Sequence, residues 1–140
     1  MTKDQFNSSI TLPNDVQEVP RLALFVEEVC DRVGVDMGTA MQLNLAIEEA
    51  TVNVMNYAYE KGTQGFVEIK AQFDGNELTF VISDSGTPFD PTTAQQADTT
   101  LSAEKRPIGG LGIFLVRKIM DTVHYLRSNG KNILTLVKRL

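Results

Sequence analysis

The sequence predicts an α/β two-layer sandwich, with helices on one face of a mostly antiparallel mixed sheet. Three observations carry this reading. Apolar residues recur at helical spacing in two segments of the first half; two pairs of alternating runs are each joined by turn residues; and a glycine cluster opens a third apolar, helix-like stretch. A chain of 140 residues, 42% apolar and 22% charged, can bury a core unaided, so one domain spanning 1–140 is expected.

Taken in order, Phe6 to Leu12 alternates loosely before Pro13-Asn14, as a short edge strand would. Leu22, Phe25, Val26, Val29 and Val33 then mark one face of a helix, with Pro20 in its first turn and Gly34 at its end. A longer helix is predicted over 37–60, its apolar side supplied by Leu43, Ala46, Ile47, Ala50, Val54 and Ala58. Two alternating runs, 66–73 and 77–83, flank Asp74-Gly75-Asn76 and form a hairpin. Residues 87–108 lack periodicity and are rich in Thr, Gln, Ala, Asp and Pro; a loop of that length before a glycine cluster suggests a lid. A helix from Gly112 to about Asp121 and a second hairpin, 123–127 with 133–138 across Ser128-Asn129-Gly130-Lys131, complete the chain.

Bulk properties remove several functions. The net charge of -5 and the absence of a basic run argue against nucleic acid. No apolar stretch resembles a signal peptide or a membrane span, which points to a cytoplasmic protein. The single cysteine, Cys30, lies among Val26, Val29 and Val33 and reads as a packing thiol.

Chemistry concentrates in three places. Gly109-Gly110-Leu111-Gly112 before a helix can cradle phosphates, because glycines admit a close ligand and the first helical turn offers free N-H groups; a tight turn without a ligand has the same composition. Glu49 and Asn53, four apart on the long helix, share a side. A carboxylate and an amide oxygen so placed suit a general base and a hard-cation ligand, or simply a polar helix edge. Asp84 ends an apolar strand segment beside Gly86 and can accept from the amino group of adenine, or form an Asx turn.

The order of these motifs resembles a known family. Ile47-Glu48-Glu49-Ala50-Thr51-Val52-Asn53 through Tyr57-Ala58-Tyr59 is similar to the N box of the GHKL ATPase superfamily; Asp84-Ser85-Gly86 with Thr87 to Pro91 resembles its first glycine box, and Gly110-Leu111-Gly112-Ile113 its second. With Met120-Asp121 after the second box, the chain from Leu12 onward looks most like the anti-sigma-factor serine kinases. That resemblance implies the Bergerat fold, Mg2+ and ATP as cofactors, and phosphorylation of a serine on a small anti-anti-sigma (STAS-type) partner, with a sigma factor bound in the alternative complex and a homodimer as a common state. Carried over by position, Glu49 is the general base, Asn53 the Mg2+ ligand, Asp84 the adenine reader, Gly86 the shaper of the base pocket, and Gly110 and Gly112 the phosphate cradle. Arg106 is assigned toward the γ-phosphate, because Ile108 stands where some of these kinases have arginine; Tyr57 and Val52 also depart from frequent residues. Thr135 on the last strand matches a threonine near the adenine, or is a packing residue. The competing readings are an ATP-binding module that acts by docking with little or no transfer, and the ATPase half of a split sensor kinase.

Overall fold

The computed structural model describes residues 5–60, 62–92 and 110–140; of residues 110–112 it describes only the backbone. Five strands form one sheet: β1 (Phe6–Pro13), β2 (Phe66–Phe73), β3 (Glu77–Asp84), β4 (Thr122–Ser128) and β5 (Lys131–Arg139). Their spatial order is β1-β2-β3-β5-β4, and every neighbouring pair is antiparallel. Among the described residues the sheet is joined by three helices, α1 (Val19–Val33), α2 (Met37–Tyr57) and α3 (Gly110–Ile119), with one 3-10 turn (Val16–Glu18) before α1.

Strand alternation decides which face is covered. Val67, Ile69, Ala71 and Phe73 on β2, Leu78, Phe80 and Ile82 on β3, and Leu134 and Leu136 on β5 are buried toward the helices. The register aligns them in rows across the sheet, such as Ile10, Ile69, Ile82, Leu134 and Tyr125. Each fully buried large side chain contributes about 1.5–3 kcal/mol over an exposed one. The helices close this layer with Leu22, Val26 and Val29 from α1, Leu43, Ala46, Ile47 and Ala50 from α2, and Val116 from α3.

Local chemistry accounts for most boundaries. Pro20 lies in the first turn of α1, where its missing N-H costs nothing, and Gly34 ends that helix at φ 82° with its N-H donating to the Cys30 carbonyl. Asp36 caps α2 by accepting from the Thr39 amide at 2.8 Å. Asn129 and Gly130, at φ 52° and 76°, make the two-residue turn between β4 and β5.

Two differences from the sequence expectation bear on the site. α2 ends at Tyr57 instead of Glu60, because the Ala58 carbonyl accepts from the amide and hydroxyl of Thr87 at 2.7 and 3.0 Å, and the buried Tyr59 is turned toward the strands. α3 begins at Gly110, two residues early, so Gly110, Leu111 and Gly112 belong to its first turn. Residues 87–92, the expected start of the lid, are tied to α2, α3 and β5; the remainder of 87–108 lies outside the described residues apart from these six. No helix among the described residues is long and apolar enough to cross a membrane.

Cys30 is 2% exposed, and burial, aided by Asp31 and Glu27, pushes its thiol up to about 11. At pH 8 about one thiol in a thousand is then ionised. A disulfide-exchange reagent at pH 8 is expected to leave the folded protein unlabelled and to modify one thiol per chain once denaturant unfolds it; rapid labelling of the native protein would contradict the buried placement.

Candidate functional site

At one end of the sheet the helix-facing row changes character. It runs Leu12, Val67, Asp84, Asn132, Arg127 across the five strands, apolar on β1 and β2 and polar on β3, β5 and β4. Asp84 and Asn132 are direct cross-strand partners and are only 4% and 3% exposed. Buried polar groups must find partners, and these two do so almost completely.

Asp84 Oδ1 accepts from the Gly86 amide at 2.8 Å and from Asn132 Nδ2 at 3.0 Å. Its second oxygen, Oδ2, is buried with no hydrogen-bond partner among the described residues. Burial pushes the Asp84 carboxyl above the usual carboxylate range, opposed by the hydrogen bonds from Asn132 and Gly86 and by the charge of Arg127. The result is a positioned acceptor lacking a donor.

The surroundings of this carboxyl are held from several elements. Gly86 lies so close to the end of α2 that an added Cβ would sit 2.2 Å from the Ala58 carbonyl oxygen. The Tyr59 hydroxyl donates to the Phe66 carbonyl at 2.8 Å and accepts from the Ser85 amide at 3.1 Å, bridging β2 to the segment after β3. Arg127 Nη1 donates to the Gly86 carbonyl at 2.9 Å. Tyr57 and Phe89 stack with ring centroids 5.4 Å apart, and Arg117 of α3 donates to the Thr92 carbonyl at 2.9 Å.

Of the residues singled out from sequence, Asp84 and Gly86 come together at the end of β3, against the end of α2. Glu49 and Asn53 stand upstream on α2, Glu49 half-buried and Asn53 4% exposed, with Asn53 five residues before the Ala58 that contacts Gly86 and Thr87. At 1.5 Å per residue that is about 7.5 Å along the helix. Gly110, Leu111 and Gly112 form the first turn of α3, which packs beside α2. Thr135 is not brought to this group. It pairs with Val81 and His124, and alternation along β5 turns it to the face away from the helices, while Asn132, Leu134 and Leu136 face inward. Arg106 and Gly109 lie outside the described residues.

Asn132, Tyr125, Tyr59 and Arg127 were not among the sequence candidates. A signal for Asn132 was present: it occupies the inward period of an otherwise apolar face, Asn132-x-Leu134-x-Leu136. Its pairing with Asp84 needs the β3–β5 register, which joins residues 48 apart.

Two substitutions test this construction. Because its folded pKa is raised, Asp84 favours folding fully below the unfolded value, and that contribution is lost as pH rises through the folded value. Asp84→Asn is therefore expected to melt at or above the wild-type temperature at pH 7, with any advantage shrinking toward pH 4; a lower melting temperature at pH 7 would contradict the buried acceptor. Gly86→Ala should lose about 1–3 kcal/mol in urea denaturation, because the methyl must displace the backbone of α2.

Comparisons place the chain among known proteins. A family model described as a histidine kinase-like ATPase domain matches residues 12–138. The serine-protein kinase RsbW of Listeria monocytogenes is 28% identical over 129 residues, covering 89% of this chain and 82% of the relative. That of Staphylococcus aureus is 28% identical over 127 residues, covering 87% and 80%. The crystal structure of the RsbU and RsbW domains of Rv1364c from Mycobacterium tuberculosis superposes with a TM-score of 0.68 at 17% identity, covering 96% of this chain but 32% of that one, a likeness of fold. Because that family model spans residues 12–138, nearly the whole chain, the chain belongs to the histidine kinase-like ATPase domain family.

Proposed function

We propose that this chain is an ATP-dependent serine kinase that acts as an anti-sigma factor, phosphorylating a serine on an anti-anti-sigma partner. The observation that carries the nucleotide part is the unpartnered, buried Asp84 Oδ2 on the helix face of the sheet. An acceptor desolvated without a donor costs about 1–3 kcal/mol, more when charged, and a ligand N-H at that point would remove the cost. Membership of an ATPase-domain family and relatives named as serine-protein kinases support the transfer reaction.

In this reading Asp84 accepts from the adenine amino group, and Gly86 leaves room for the flat base. The N-H groups of the first turn of α3, at Gly110, Leu111 and Gly112, which a helix leaves without intrahelical partners, meet the phosphates with Gly109, and the helix dipole favours their charge. Arg106 is assigned to the γ-phosphate. Glu49 takes the proton of the partner's serine as its oxygen bonds to the γ-phosphorus and ADP departs with the bridging oxygen. Among the described residues no cluster of three His, Cys, Asp or Glu side chains forms a metal cage. Asn53 offers a hard oxygen beside Glu49, a donor set suited to a Mg2+ that takes its remaining ligands from phosphates and water. That ion would supply charge compensation on the phosphates. A homodimer, and a sigma factor held in the alternative complex, complete the proposal.

Mg-ATP or Mg-ADP, but not Mg-GTP, should raise the melting temperature, since a ligand that binds only the folded chain stabilises it. No shift at millimolar adenine nucleotide would overturn the nucleotide reading. Glu49→Ala should retain that shift while slowing transfer to the partner by about 10²-fold or more. Near-normal transfer would remove Glu49 as the base, and adenine binding without any partner labelling would leave a docking module.

A further inference from the structure

Asn132 uses every hydrogen-bonding position of its amide. Nδ2 donates to Asp84 Oδ1 at 3.0 Å and to the Thr87 carbonyl at 2.8 Å; Oδ1 accepts from the Phe89 amide at 3.1 Å and from the Tyr125 hydroxyl. Two acceptors on one side and two donors on the other fix which way the amide points. Within this cluster the group left over is Asp84 Oδ2.

A carboxylate with both oxygens free can take two parallel N-H donors, a geometry that the N1-H and 2-amino group of guanine offer side by side. Here Oδ1 already accepts from Gly86 and Asn132, so a base meets a single acceptor. We propose that Asn132 is a specificity-determining residue of the nucleotide site: by holding Asp84 Oδ1 it denies guanine the two-donor pairing and leaves Oδ2 for one donor, the 6-amino group of adenine. The inference rests on the nucleotide reading of Asp84 given above. Because the same amide holds the Thr87 carbonyl and the Phe89 N-H, Asn132 also anchors the segment that follows the base seat.

Affinities of the full chain for Mg-ATP, Mg-GTP and Mg-ITP, measured calorimetrically, test this directly. In the wild type GTP and ITP, which differ by the 2-amino group, should bind equally weakly, since a second donor finds no acceptor. GTP binding about tenfold tighter than ITP, the scale of one hydrogen bond, would overturn the proposal without any variant having to fold. In Asn132→Ala the ATP-to-GTP preference should fall about tenfold as Oδ1 becomes available, whereas Tyr125→Phe, which keeps the Nδ2 donor, should retain it. Equal loss of ATP and GTP affinity in Asn132→Ala would mean that Asn132 only supports the fold, and would overturn the proposal. Failure of all three nucleotides to bind the wild type would overturn the nucleotide reading itself, an outcome distinct from binding with an unmoved preference.

Discussion

The buried contact between Asp84 and Asn132 is the constraint on which the polar end of this molecule depends. A carboxyl 4% exposed on a covered sheet face is costly to bury without hydrogen bonds, and one of its oxygens accepts two. Satisfying that oxygen recruits the neighbouring strand and the turn after β3. Satisfying Asn132 in turn recruits Thr87, Phe89 and Tyr125. Several elements are thus located by hydrogen bonds to these two side chains, and within this cluster the oxygen left without a partner is the one given a ligand in the proposed function.

The apolar layer makes this possible by being elsewhere. Rows such as Ile10, Ile69, Ile82 and Leu134 bury the middle of the sheet under α1, α2 and α3, so its end can carry polar groups without loss of the core. The end of α2 is shaped by the same compromise. Its helix stops where the Ala58 carbonyl turns to Thr87 and Tyr59 bridges β2 to the segment after β3, which brings the backbone against Gly86 and leaves no space for a side chain there. The glycine of the proposed base seat is therefore required by packing as well as by any ligand.

The proposed chemistry draws on elements far apart in sequence: Glu49 and Asn53 on α2, Asp84 at the end of β3, and the first turn of α3. Phosphoryl transfer asks mainly for positioning and charge compensation, which rigid elements supply better than loops. The Tyr57–Phe89 stack and the Arg117–Thr92 contact extend that rigidity to residues 87–92. Residues 87–92, the expected start of the lid, are therefore held against α2 and α3.

Elements whose cause is local were legible in the sequence alone. Helical spacing located α1 and the body of α2, turn residues located both hairpins, and ordered motifs pointed to Glu49, Asn53, Asp84 and Gly86. Each of these follows from residues a few positions apart. Tertiary structure decided what non-local contacts control: the early end of α2, set by Thr87 and Tyr59; the placement of Thr135 on the open face; and the pairing of Asn132 with Asp84. A shift of one residue in the β3–β5 register would exchange Thr135 and Asn132 between faces, and that register is set by packing across the whole sheet, which no local stretch contains.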